Sequence, residues 1–363
     1  MPESSLTLQV AGRLIGPDAI STLVECQIEE AADAADAAVV VATVEAGADG
    51  EWTSILDPLT VPRSKLVVEV TRAGVTYRFE GASTEAQWSI KPGGSSQLTV
   101  KAVDRSLEMD DREKVAAWPG SSDSGIAEAI FANYGIATKV KDTPAGPDPD
   151  VHVAMQRGTD WAFLRALAAK WGYAAYLEAG GGRVTGHFHP LEPLADPQAE
   201  LSFGYGMDAP EIKVEANLSG GQSVSATRFR PLSDAEQNAT SRGDDQVQGN
   251  TSLGGRVDLL LSPADVDGEV DPEAVAQGLA RDSAFSLTLS AAVDADTTGV
   301  MLRARRTVLV SGIGSQLSGL WLVRRVRHRV SLDGHLQDLT LVRNAVGLAG
   351  SERFGQLSRA GQS

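Results

Sequence analysis

The chain has 363 residues, 42% of them hydrophobic and 22% charged, with a formal net charge of −16. These proportions exclude a disordered polymer and point to two or three domains. The acidity argues against a general affinity for nucleic acid or anionic lipid, both polyanions.

The single cysteine, Cys26, rules out an internal disulfide, and its place in an apolar-alternating strand reads as buried filler. The opening "MPESSLTLQV" has no basic, apolar leader, and no apolar run reaches the roughly 20 residues that span a bilayer. The expectation is a protein made and folded in the cytoplasm, without stable membrane insertion.

The first hundred residues read as β. "LTLQVAGRLI", "STLVECQIEE", "AAVVVATV", "KLVVEVTR", "VTYRFEGAST" and "SQLTVKAVD" alternate apolar and polar residues or run β-branched, with Gly, Pro and Asp between them. "TRAGVTYRF" predicts a hairpin turning at Ala73-Gly74. A compact antiparallel sheet or barrel follows from this pattern.

At Asp104 the character changes. Ser122 or Asp123 is placed to cap a helix over "SGIAEAIFANYG", with Ile126, Ile130 and Phe131 as its stripe and Gly135 as its stop. A proline-rich loop, "DTPAGPDPD", leads to the strand "VHVAMQ". Thr159 or Asp160 caps a second helix, which Gly172 ends. "YAAYLEA" and "RVTGHFH" then pair over Gly180-Gly181-Gly182.

From Leu201 the pattern returns to β. "EIKVEANLS" and "SVSATRFRP" read as strands, 232–256 as a long exposed loop, and "DPEAVAQGLARDSAFS" as a helix. Four further strands close the region. The two β regions are similar in size, which suggests an internal duplication.

Candidate chemistry is sparse. His187 and His189, at i and i+2 on a strand, point the same way as two metal ligands would, but no Cys or third His accompanies them, so a surface strand is expected. Asp104, Glu108, Asp110 and Asp111 form a carboxylate cluster without EF-hand spacing or a catalytic partner, and read as a solvated turn. Trp161, Phe163, Trp171, Tyr173 and Tyr176 read as core packing rather than a stacking site. No P-loop, G-x-S-x-G elbow, dinucleotide fingerprint or H-E-x-x-H motif occurs.

One stretch stands out: "GLWLVRRVRHRVSLDG", Gly319 to Gly334, places four arginines and a histidine between Arg324 and Arg329. As a strand it puts Leu322, Arg324, Val326, His328 and Val330 on an inward face, with Arg324 and His328 in need of partners. Trp321, Val323, Arg325, Arg327 and Arg329 take the other face. The three arginines then form a row about 7 Å apart. A solvated face and a surface for an acidic neighbour both fit, the neighbour including another copy of this chain. Nucleic acid fits least, for want of an aromatic platform.

Three stretches carry a family resemblance. They are "DWAFLRALAAKWGYAAYLEAGGGRVTGHFHP", "VLVSGIGSQLSGLWLVRRVRHRVSLDGHLQDLTLVRN" and "VKAVDRSLEMDDREKVAAWPGSSDSGIAEAIFANYGI". In order and spacing they resemble the late control D family and VgrG-like hub proteins, over most of 95–190 and 300–345. The resemblance implies the structural central hub of a contractile phage tail or phage-tail-like injection-system baseplate. Such a hub is a homotrimer with two tube-like domains per subunit. Its pseudo-sixfold ring joins the inner tube to the spike around an axial lumen.

On that resemblance the fold class is β-rich α+β: two tube-like antiparallel β-barrel domains with an α+β insert domain. The domains are 1–104, the first barrel; 105–200, the insert; 201–345, the second barrel with its exposed loop 232–256; and 346–363, a flexible C-terminal tail. The implied partners are the inner tube protein, a separate spike protein, baseplate wedge proteins, and cargo or a tape-measure protein in the lumen. No sequence-specific nucleic acid is among them.

The OB-fold and needle that continue VgrG-like proteins have no counterpart here, so the spike is expected on another chain. No catalysis, cofactor or metal is implied, and the mature location is the baseplate. Arg325, Arg327 and Arg329 are expected to meet a subunit neighbour or line the lumen. Two other readings remain: a carbohydrate- or cell-surface-binding β-rich module using the aromatics of 161–176, and a hydrolase using the carboxylates of 104–111.

Overall fold

The computed structural model describes residues 4–72, 74–91, 94–146, 148–150, 153–203, 211–219, 222–230, 235–253, 257–261 and 272–355. The first region holds β1 (Ser5–Val10), β2 (Arg13–Leu14), α1 (Pro17–Ile20), β3 (Leu23–Ala31), β4 (Ala37–Ala46), β5 (Trp52–Thr53), β6 (Lys65–Arg72), β7 (Val75–Ser89) and β8 (Ser96–Asp104). The insert holds α2 (Ser106–Met109), β9 (Lys114–Trp118), α3 (Asp123–Asn133), β10 (Ala137–Val140), β11 (Ala154–Gly158), α4 (Asp160–Lys170), β12 (Ala174–Gly180) and β13 (Arg183–His189).

The third region begins with β14 (Glu200–Ser202), β15 (Ile212–Ala216), β16 (Gln222–Arg230), β17 (Ala235–Ser241), β18 (Thr251–Ser252) and β19 (Val257–Leu261). It continues with α5 (Pro272–Ser283), β20 (Leu287–Asp294), α6 (Ala295–Thr298), β21 (Thr307–Ser311), β22 (Gly319–Ser331), β23 (Gly334–Arg343) and β24 (Ala345–Val346). Among the described residues no helix is long and apolar enough to cross a membrane.

Local chemistry explains the element ends. Ser122 Oγ accepts from Gly125 N at 3.1 Å and Thr159 Oγ1 from Ala162 N at 3.1 Å, capping α3 and α4. Gly135 and Gly172, with φ of 64° and 62°, stop the same two helices in the left-handed conformation. Arg72 pairs with Val75 across the hairpin, and Ala73, one of the two expected turn residues, lies outside the described residues.

The β-rich α+β class read from the sequence is the observed one. Periodicity did not disclose that the two β regions share a single sheet. Its strand order is β15-β20-β23-β22-β3-β4-β8-β7-β6-β1-β2, and β22 beside β3 is the join. Each half curls around its own core. Cys26, Ile28, Val40, Leu66, Val68, Phe79, Leu98 and Val100 fill the first. Leu201, Leu289, Val308, Trp321, Val323, Val326, Leu339 and Leu341 fill the second. The strict alternation of β4, from Ala37 to Val44, places every second residue in the first core.

A third core belongs to the insert, where Ile126, Ile130 and Phe131 of α3 meet Leu164 and Leu167 of α4 over Leu177 and Phe188. Val275 of α5 reaches into this core from the third region. Backbones touch there: a Cβ on Gly278 would lie 2.1 Å from Trp171 O, and one on Gly172 would lie 2.2 Å from Gly278 O.

Two expectations need correction. The segment 232–256, expected as an exposed loop, contains β17 and β18, and Gln248 within it is buried. Gln248 N donates to Asn344 Oδ1 at 2.9 Å, so polar composition here serves hydrogen bonding to the protein as well as to water. The segment 346–363, expected as a flexible tail, is tethered as far as Gly355. Arg343 Nη2 donates to Gly347 O at 2.6 Å, and Gly355 N donates to Glu200 Oε2 at 2.7 Å. Residues 231–234, 254–256 and 356–363 lie outside the described residues.

Candidate functional site

The basic strand departs from simple alternation at one residue. Val323 pairs with Leu341 of β23, yet Arg325 pairs with Thr340, so Arg324 is the extra residue of a β-bulge. The bulge lies where β22 changes neighbours. Gly319–Leu322 pairs with β21 and Arg325–Val330 with β3. It also inverts the facing. Trp321 and Val323, expected beside the arginines, join Val326 in the second core. Arg324 leaves the expected inward face and meets Asp33 at 3.3 Å and Asp282 at 3.6 Å. Beyond the bulge the alternation holds, with Val326, His328 and Val330 buried and Arg325, Arg327 and Arg329 outward.

Each arginine of the row has a carboxylate beside it. Arg327 donates to Glu29 Oε2 at 2.8 and 2.6 Å, and Arg325 Nε lies 3.5 Å from Glu29 Oε1. Arg329 Nη2 donates to Asp338 Oδ1 at 3.0 Å. A shallow groove of about 590 Å³ runs along this face, with Lys213 and Ser290 across from the row. Such half-exposed pairs contribute about 0.2–1 kcal/mol each.

Behind the row the three regions meet around a buried charge network. Glu30 follows Cys26 and Ile28 on the inward register of β3 and is 1% exposed. Arg303 grips it at 2.9 and 2.7 Å and reaches Glu178 of β12 at 3.1 Å. Arg305 donates to Ala31 O at 2.7 Å, pairs with Asp36, and lies 4.1 Å over the Tyr176 ring. Asp36 N in turn donates to Asp104 Oδ2 at 2.9 Å.

Burial opposes ionisation of Glu30, but the charge and hydrogen bonds of Arg303 outweigh it and hold the carboxyl below its usual range. For Asp36 burial wins, helped by the charges of Glu30 and Asp104, and its pKa rises to about 8. Burial raises Asp104 as well. The charge count agrees, because Glu30, Asp36 and Asp104 outnumber Arg303 and Arg305.

The network corrects the reading of 104–111 as a solvated turn at Asp104 alone. Asp104 is buried and holds the backbone of Asp36 and Ser106. Glu108, Asp110 and Asp111 remain near the surface with separate partners, Arg105, Thr159 and Arg63.

His187 is likewise buried, not on a surface strand. It stacks on Tyr176 at 4.4 Å, and its Nδ1 lies 3.0 Å from His189 Nε2. Burial and the neighbouring positive groups lower its pKa to about 3. Among the described residues no group of three or more His, Cys, Asp or Glu side chains is placed to hold a metal.

His328 finds the partner it needed in His335, at 3.0 Å from Nδ1 to Nε2, and stacks on Tyr77 of the first core. Trp161, Trp171 and Tyr176 are buried, and Trp171 Nε1 donates to Asp123 Oδ2 at 2.7 Å. These three pack the insert, while Phe163 and Tyr173 are only partly buried against its core.

Sequence reading passed over Arg303, Arg305 and Glu30. The available signals were "RARR" before a strand and a glutamate in core register. Nor did it single out Arg343 and Asn344, which close the quoted stretch "VLVSGIGSQLSGLWLVRRVRHRVSLDGHLQDLTLVRN". Arg343 is fully buried and donates to Leu317 O, Ser318 O, Gln248 O and Gly347 O at 2.6–3.1 Å. Asn344 Nδ2 donates to Gln246 O at 2.6 Å. The pair ties two segments to the end of β23.

The family model described as the Alg8 N-terminal domain matches residues 71–331. No curated protein matches. Among solved structures, a tail protein from Neisseria meningitidis MC58 is 15% identical, with a TM-score of 0.64 over 94% of this chain and 97% of that one. The 43 kDa tail protein of prophage MuSo2 from Shewanella oneidensis is 14% identical, with a TM-score of 0.64 over 94% and 99%. The E. coli c3393 protein is described as a component of the type VI secretion system with structural similarity to the T4 bacteriophage tail proteins gp27 and gp5. It is 11% identical, with a TM-score of 0.55 over 93% and 76%. At these identities the likeness is one of fold.

Proposed function

The chain belongs to the family described as the Alg8 N-terminal domain, and we propose that it serves as a structural, non-catalytic component of a contractile phage tail or injection-system baseplate, in the role of central hub. The observation that carries this reading is the shared sheet. Two β halves with separate cores lie on one continuous run of strands, joined at β22 and β3. Three copies of such a chain present six similar halves, which reconciles a threefold spike with a sixfold tube. The fold common to this chain and the tail proteins of Neisseria and Shewanella supports the same reading, as does the resemblance of its motifs to the late control D and VgrG-like hubs.

On this proposal the subunit closes a homotrimeric ring, one side of which nucleates the inner tube while the other seats a separate spike. The arginine-bearing face lines the axial lumen or meets a neighbouring subunit, and wedge proteins bind outside. The insert, locked to both halves through Glu30, Arg303 and Glu178, keeps the domains in fixed register during assembly.

The test is the mass of the purified chain in solution, alone and co-expressed with the tube and spike proteins of its own particle, together with negative-stain images. Threefold rings with a central hole are expected. A chain that stays monomeric in the presence of both partners refutes the hub.

A further inference from the structure

The outer face of the shared sheet is electrically quenched, even though it bears the most basic strand of the chain. Along β15, β20, β23, β22, β3, β4, β8 and the distal part of β7, register puts five described cations on this face. All five have a carboxylate of the same face within 3.5 Å. Three are the arginines held by Glu29 and Asp338. The others are Lys101, 2.7 Å from Glu85, and Lys213, 2.7 Å from Glu215. Between them the outward register carries small and polar side chains together with Val39, Val41 and Leu336, and no aromatic ring stands among the described residues of this register.

The spacing of the row shows what the pairing prevents. Arginines at i, i+2 and i+4 of a strand stand about 7 Å apart. Phosphates follow one another along a nucleic-acid strand with a rise of about 3.4 Å and a further displacement from its winding, so three cations spaced like these can each face a separate phosphate of one strand. Left unpaired, Arg325, Arg327 and Arg329 would form a ready grip for a polyanionic chain.

We propose that Glu29 and Asp338 are specificity-determining residues that silence this row, so that polyanions, nucleic acid among them, meet the face without being captured. Glu29 does most of this, because it is shared between Arg325 and Arg327. The consequence for function rests on the hub reading: a lumen lined by this face would let a charged polymer pass without holding it.

The test uses the full chain and two probes, a single-stranded DNA 20-mer and a heparin fragment, with binding followed by fluorescence anisotropy in about 50 mM salt. The variants are Glu29→Gln and Glu29→Gln/Asp338→Asn. Wild type is expected to show no saturable binding. The double variant is expected to bind saturably, at least tenfold tighter than the weakest affinity the titration resolves for wild type, with log K falling against log salt at a slope of about −2 for three phosphates on a single strand. Adding Arg325→Gln and Arg327→Gln should abolish the gain.

Wild-type binding that those arginine changes remove would overturn the proposal, as would a folded double variant that gains nothing. Circular dichroism checks the fold of each variant. Ring formation is scored separately on the same samples, so failure of the hub reading leaves this result interpretable.

Discussion

The replacement Arg303→Leu probes the junction of the three regions most directly. It deletes the contacts at 2.9, 3.0 and 2.7 Å to Glu30 and the one at 3.1 Å to Glu178. Glu30 keeps only Ala304 N at 3.1 Å and the more distant Arg305 at 3.9 Å, in a site 1% exposed. Stranding a buried charge in this way costs about 3–5 kcal/mol, and the remaining Arg305 puts the expectation near the lower bound, about 3 kcal/mol.

Part of that cost is escaped by protonation. Without Arg303, burial lifts the Glu30 pKa above its unfolded value, so the variant loses stability as pH rises through that range. Its deficit against wild type should therefore shrink between pH 7 and pH 5. The double change Arg303→Leu/Glu30→Leu removes both charges and should recover at least half of the loss, because paired buried charges are nearly neutral against apolar replacements. Urea unfolding followed by circular dichroism at the two pH values measures all three proteins. A single-variant loss below about 1 kcal/mol, or a double variant no more stable than the single, refutes the reasoning.

Three further expectations follow from separate features. Gly278→Val places a Cβ 2.1 Å from Trp171 O, where only backbone could yield. It should loosen the insert, raising hydrogen exchange across α4 and β12 while sparing β4 and β8; unchanged exchange in α4 would contradict the close packing.

Burial lowers the pKa of His328 to about 3 and of His335 to about 4. The neutral forms then contribute stability that is complete above the unfolded value near 6.5 and is lost as pH falls towards 3, with a slope approaching 1.4 kcal/mol per pH unit for each group. His328→Gln should flatten that decline, and an unaltered slope would count against it.

Changing Arg325, Arg327 and Arg329 together to Glu should leave the chain folded and monodisperse but impair ring assembly or tube docking in pull-down with the tube protein. Unimpaired assembly would make the row a solvated face only.

How much was legible in the sequence varied with how local the physics was. Helix caps at Ser122 and Thr159, each left open between two adjacent residues, stops at Gly135 and Gly172, and the alternating strands of the first region depend on neighbours within a few residues, and were readable to that extent. The outward facing of Arg325, Arg327 and Arg329 was also readable, because parity along β22 is local beyond the bulge. The bulge itself was not. It exists because β22 exchanges β21 for β3 as its neighbour, and β3 lies about three hundred residues earlier in the chain.

The candidate site divides in the same way. His187, His189, Asp104 and the 161–176 aromatics were singled out by residue type, and sequence alone could assign them only to surface or core. The burial of His187, Asp104, Trp161, Trp171 and Tyr176 was decided by which strands and helices close over them, and His189, Phe163 and Tyr173 are left partly exposed. The pairing of Arg303 with Glu30, like that of Arg325 and Arg327 with Glu29, joins residues some 270–300 positions apart. No pattern within a window carries such a contact.

Sequence by itself determined the class of each region and the chemistry each residue could offer. Tertiary structure decided that the two β regions form one sheet, that the basic strand is its seam, and that its arginines are neutralised in place. The physical reason is that periodicity encodes which face of an element is apolar. Which other element covers that face, and which charges meet across it, follows only when distant strands pair.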